Sequence, residues 1–133
     1  MKASSDHDVV SRMFAAVAAG DVDGALAQLH PDARWSPTVW SGPSALQGRT
    51  EVGDWFAQFG PGLEHLRIDV ADVSQPAGWV IVCGTVHDTR AGGSFTTRVG
   101  WLFAVEDGLV AEGRAFASWD EALLAGGAAD HGS

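Results

Sequence analysis

The sequence predicts an α+β fold, with helices first and a run of long strands after them. Three observations predict it. Apolar residues recur at helical spacing through the first half. The second half instead alternates or forms β-rich runs, and short turn signals separate those runs. Helices before a meander of strands imply helices packed on one face of a curved antiparallel sheet.

Each element has its own signal. Ser5 precedes Asp8 by three, a capping-box spacing, and Val9, Val10, Met13, Phe14 and Val17 then share one helical face. Gly20 stops that helix, and Asp21 can cap a short second one carrying Val22, Ala25, Leu26 and Leu29. "HPDARW" turns extended, because Pro31 forces the exit, and "SGPSALQG" reads as a loop. Thr50 can cap a third helix with Val52, Phe56 and Phe59 on one face, ended by "GPG" at 60–62. "HLRIDVADV" alternates, and "WVIVCGTVHDTR" is rich in β-formers. "AGG" at 91–93 turns into "FTTRVGWLFAV", and "EDG" at 106–108 turns into the last strand. Ser118 with Glu121 caps a closing helical turn ended by Gly126. The chain reads as one domain over 1–133, with 126–133 as a frayed tail.

Composition narrows the partners. The net charge of −9 repels phosphate backbones and anionic lipid, so neither nucleic acid nor a membrane surface is an expected partner. No apolar run is long enough to span a bilayer, and "MKASSDHD" does not read as a signal peptide, so a cytoplasmic protein is expected. The single Cys83 excludes an intramolecular disulfide. The His residues show no metal-ligand spacing, and no phosphate loop or dinucleotide fingerprint is present, so no metal or cofactor is expected.

The last strand, "GLVAEGRAFASW", is unusual. One phase carries Val110, Glu112, Arg114 and Phe116, while the other carries only Ala111, Gly113, Ala115 and Ala117. A strand that buries a face normally fills it.

"AAGDVDGALAQLHPDARW", "LQGRTEVGDWF" and "VEDGLVAEGRAFASWDEALLAGG" resemble the SnoaL-like branch of the nuclear transport factor two superfamily. That resemblance implies a cone-shaped curved antiparallel sheet wrapped around three N-terminal helices, cystatin-like, with a short C-terminal helix. It also implies a pocket between helices and sheet, and a homodimer. It does not imply one function, because the superfamily holds polyketide cyclases, isomerases, epoxide hydrolases, dehydratases and proteins that only bind. The limonene epoxide hydrolase positions fall on Val82, Gly84, Ala115 and near Trp35 and Pro37, so that chemistry is absent. The ketosteroid isomerase positions read Ser36 or Pro37 and Gly100 or Trp101, with no carboxylate.

The same alignment points Val82, Gly84, Val86, Asp88, Thr97, Val99, Trp101, Phe103, Gly113, Ala115 and Ala117 inward. Met13, Phe14, Trp35, Phe56 and Phe59 supply large walls, and Trp40 could act as a lid. On this reading the bare strand leaves room for a small apolar ligand. Alternatively, Trp101 and Trp35 plug the gap beside Gly113 and Ala115. Asp88 and His87 are the catalytic candidates, and as neighbours on a strand they must face opposite ways; a one-residue error in phase would exchange them. Asp88 is otherwise a solvated strand end, and His87 a surface residue. Trp79, Arg98, Glu112 and Arg114 take the outward phase as a dimer face with cross-strand charge pairs, or an anion clamp if the phase is reversed. His30 and Asp32 are either a polar pair at the pocket mouth or simply the helix exit. Three functions remain open: an apolar-ligand binder, an acid–base enzyme of the cyclase, isomerase or lyase kind, and an interaction protein with a filled cavity.

Overall fold

Helical spacing in the first half yields three helices in the computed structural model, which describes residues 6–36, 46–75, 78–89 and 94–127. Helix α1 (Asp6–Ala18) buries Val9, Val10, Met13 and Val17, and carries Asp6 and Asp8 in its first turn, where the helix dipole favours negative charge. Ser5, half of the expected capping box, lies outside the described residues. Gly20 ends the turn after α1 at φ 71°, and a Cβ there would collide with the Gly62 carbonyl. The Asp21 carboxylate accepts the Gly24 N–H at 2.9 Å and caps α2 (Val22–Ala27).

Two strands follow, β1 (Leu29–Ser36) and β2 (Leu46–Gln47). Helix α3 (Gly48–Ala57) has its N-cap at Gln47, so it starts three residues earlier than a Thr50 cap requires. Glu51 reaches back to accept the Gln47 N–H at 2.9 Å, which supplies the missing terminal partner and leaves Thr50 inside the first turn. A 3-10 turn over Pro61–Leu63 leads into the long strands. These are β3 (Leu66–Ser74), β4 (Val80–Asp88), β5 (Phe95–Glu106) and β6 (Leu109–Phe116). Asp107 and Gly108 hold φ of 54° and 76° between β5 and β6, the left-handed pair a tight hairpin needs. Helix α4 (Trp119–Ala125) closes the described chain. Its cap is Ser118, whose hydroxyl accepts the Glu121 N–H at 3.2 Å and donates to the Glu121 carboxylate at 3.0 Å.

The six strands lie in the order β2-β1-β6-β5-β4-β3. The sheet is mixed rather than purely antiparallel, because β1 and β6 run parallel. They are far apart in sequence, so no hairpin dictates their direction. Register breaks at Val70/Asp72 in β3 and at Ala104/Val105 in β5 interrupt the ladder, as bulges that bend a sheet do.

The helices do not all share one face. Residues from α1, α2 and α3 pack on one side over Val80, Val82, Val86, Val99, Trp101 and Phe103. Helix α4 packs on the other, where Ala122 joins Ile81, Cys83 and Leu102 in a second buried cluster. The cause is in the strands: β4 and β5 carry large apolar residues on both phases, and Ile81 and Leu102 need a cover. Gly126 belongs to that cover and not to a frayed tail. It is buried against Ile81 and Leu102, with no space for a Cβ, and residues 128–133 lie outside the described part.

Candidate functional site

Strand pairing builds the inner face in rows. Trp35 of β1 pairs with Gly113 of β6, which pairs with Phe103 of β5, which pairs with Val80 of β4. The next row runs Ala115, Trp101, Val82 and Val73. Beyond it come Val99, Gly84 and Val70, then Thr97, Val86 and Ile68, and last Phe95, Asp88 and Leu66.

Within those rows a large ring sits beside a small residue. A Cβ on Gly113 would lie 2.9 Å from the Trp35 ring and 3.0 Å from the Phe103 ring. The Trp35 and Phe103 centroids are 5.6 Å apart with planes at 47°. Ala115 stands beside Trp101, and Gly84 lies beneath the Asp69 carbonyl and the Trp101 edge. The bare face of β6 therefore seats rings. The aromatic web continues from Trp35 to Trp55 (6.3 Å) and from Trp55 to Phe59 (5.1 Å), all within the helix-side core.

Among the described residues, the inner face borders a cavity of about 20 Å³. That is room for about one water, against several hundred Å³ for a typical small-molecule site. Met13, Phe14, Trp35, Phe56 and Trp101 line it, joined by Val17, Trp55, Leu66 and Ile68. Phe59, Val82, Val86, Val99, Phe103 and Ala115 are buried in the surrounding core, and Gly84 and Gly113 are buried too. Thr97 is half-buried. Ala117 is exposed beyond the end of β6, so it lines no interior: the strand's alternation ends at Phe116. Trp40 and Pro37 lie outside the described residues. The four additional lining residues had signals of their own. Trp55 adjoins Phe56 on a wide helical face, Val17 continues the α1 stripe, and Leu66 and Ile68 share one phase of "HLRIDV". A second, open space of about 410 Å³ lies outside this core between α1 and β3, lined by Val10, Ser11, Phe14, Ala15, Ala18, Ile68, Asp69, Val70 and Val73.

Asp88 is 7% exposed on the inner phase of β4, paired with the cavity residue Leu66. His87 faces out. Its Nε2–H donates to the Asp69 carboxylate at 2.9 Å, and its Nδ1 lies 3.1 Å from the Thr96 hydroxyl. Arg67 donates to the same Asp69 oxygen at 3.1 Å. The His87 hydrogen bond, with the Arg67 charge and hydrogen bond beside it, outweighs the opposing desolvation and holds the Asp69 carboxyl below its ordinary value. His87 and Asp88 thus serve different faces and cannot act on one ligand.

The other outward residues are engaged with each other. Arg114 donates to Glu112 at 2.7 Å along the same strand, rather than across strands, and stacks on Trp79 at 5.4 Å. Arg98 stacks on Trp119 at 4.9 Å, and the Trp119 indole N–H donates to the Gly84 carbonyl at 3.0 Å. His30 and Asp32 lie with Arg34, Glu106 and Glu112 along an outer hollow of about 280 Å³, apart from the inner cavity. Cys83 is buried beneath α4, and burial, together with the Asp72 and Asp120 charges, pushes its thiol up, away from the reactive thiolate. Among the described residues no group of three or more His, Cys, Asp or Glu could hold a metal ion, and no helix is long and apolar enough to cross a membrane.

A bent sheet folded over three helices, with one short helix behind, is the architecture of the nuclear transport factor two-like proteins. Residues 10–113 match the SnoaL-like domain family, and the chain belongs to that family. Its fold is similar to that of a nuclear transport factor two-like protein of unknown function from Burkholderia pseudomallei, at 22% identity over 92% of this chain and 97% of that one, with a TM-score of 0.73. TerC, crystallised with polyporic acid, is similar at 18% identity over 86% and 92% of the two chains, with a TM-score of 0.71. A Pseudomonas putida protein named as a candidate polyketide cyclase is similar at 19% identity over 89% and 95%, with a TM-score of 0.69. No curated protein matches the chain significantly.

Proposed function

We propose that this SnoaL-like protein binds a small, flat, uncharged apolar molecule, polyketide-, terpenoid- or steroid-like, between α1, α3 and the inner face of the sheet. One observation carries the reading: every described residue lining the inner cavity is apolar, and three of those nine are indoles. The net charge of −9 disfavours an anionic ligand. That a protein of this fold takes up a small organic molecule is supported by TerC, co-crystallised with polyporic acid. Titrating intrinsic tryptophan fluorescence with neutral flat probes such as 1-N-phenylnaphthylamine tests it. Saturable quenching is expected. A flat response across such a panel contradicts it and leaves the interaction protein with a filled interior, which the cavity of about 20 Å³ favours.

The second reading is an acid–base enzyme, favoured by the burial of Asp88 on the inner phase. It requires a turnover that Asp88→Asn abolishes while ligand still binds. Homodimerisation through Trp79, Arg98, Glu112 and Arg114 belongs to the same proposal. Because α4 covers the middle of that face, a second copy would pack on α4 and the polar strips beside it. Light scattering on the eluting protein measures the mass.

A further inference from the structure

We infer that the groove between α1 and β3 is the route into the interior and that the Phe14 ring is its gate. This rests on the interior being the binding site. The inner cavity of about 20 Å³ and the outer groove of about 410 Å³ share two lining residues, Phe14 and Ile68. Phe14 is half-buried, and its edge-on contacts face inward, to Trp101 at 5.2 Å and 62° and to Phe103 at 5.7 Å and 77°. The ring therefore occupies a place that an aromatic ligand can take over, with the same two partners and the same edge-to-face geometry. Ile68, on the opposite wall, is also half-buried.

The groove is built to receive the displaced ring or the rest of a ligand. On the α1 side Ser11, Ala15 and Ala18 are small and exposed. On the other side β3 is the edge strand, and Val70 at its lip is 43% exposed. A half-buried side chain changes rotamer far more readily than one locked in a packed core. Swinging Phe14 toward the groove joins the two spaces into one chamber of ordinary ligand size. The ligand class follows: a neutral molecule with one flat ring system that replaces the phenyl against Trp101 and Phe103, its remainder lying along the groove.

Stopped-flow tryptophan quenching by 1-N-phenylnaphthylamine on the full chain tests the route. Ala15→Trp narrows the groove from an exposed position and is expected to slow association about tenfold. Phe14→Ala opens the gate and is expected to associate faster and bind about tenfold more tightly; Phe14→Leu, milder for folding, should shift the same way by less. Ala57→Trp, at the exposed end of α3, should match the wild type. Saturable binding by the wild type with unchanged rates in Ala15→Trp and in both Phe14 variants overturns the gate and leaves the binding reading standing. Absence of binding in the wild type and in both Phe14 variants overturns the two together.

Discussion

The two faces of the sheet solve opposite problems with the same strands. On the inner face, rings of Trp35, Trp101 and Phe103 interlock with Gly113, Ala115 and Gly84, and the cavity they border among the described residues is about 20 Å³. On the outer face, α4 covers a small apolar patch at Ile81, Cys83 and Leu102. Beside that patch lie polar and charged groups that pair with each other: Arg67 and His87 on Asp69 across β3 and β4, and Arg114–Glu112 along β6. The difference teaches where each kind of change will be felt. Interior rings act through packing, which is large and unforgiving. Outer charges act in water, where exposed pairs contribute little.

The largest effect should come from removing a ring. Phe103 is fully buried, and Phe103→Ala is expected to destabilise by about 3–5 kcal/mol in urea unfolding. Next comes filling the bare strand. Gly113→Val places methyls against the Trp35 and Phe103 rings and should cost about 1–3 kcal/mol. A stable Gly113→Val protein would mean the rings have room to move aside, which would break the contrast between the faces. Trp119→Phe keeps the stack on Arg98 but removes the hydrogen bond to the Gly84 carbonyl, a loss of about 1 kcal/mol by the same measurement.

The smallest effect lies in the outer charge ladder. Asp69 has a lowered folded-state pKa, so its contribution is present above the ordinary carboxylate range and fades as pH falls through the lowered value. Asp69→Asn should therefore be slightly less stable than wild type near neutral pH, with the difference closing in acid, so that its acid titration of stability is shallower. A large change near neutrality would place the outer ladder on a par with the core.

Much of this contrast was legible in the residues. The period of two in β4, β5 and β6 separates Val82, Val99 and Trp101 from Cys83, Arg98 and Arg114, so both faces can be written down from the pattern. Whether the bare strand borders a hollow or a ring could not be read there. That depends on register, and only the pairing of Trp35 with Gly113 and of Gly113 with Phe103 brings two rings onto one glycine. Helix α4 crossed to the outer face because Ile81 and Leu102 needed cover, a signal present in the strands but weaker than the helices-first order. The groove beside Phe14 joins α1 to a strand fifty residues later, and local spacing carries no trace of it.

The most direct test of the central claim, that the inner face receives the ligand, reads both faces at once. The indole N–H signals of a ¹⁵N-labelled sample, assigned through Trp→Phe variants, are followed during titration with 1-N-phenylnaphthylamine. Trp35, Trp55 and Trp101 line the inner cavity, whereas Trp79 and Trp119 pack around the outer cluster. Saturable shifts of the first three with the other two unmoved are the predicted result. Shifts of Trp79 and Trp119 with the inner three unmoved would contradict it.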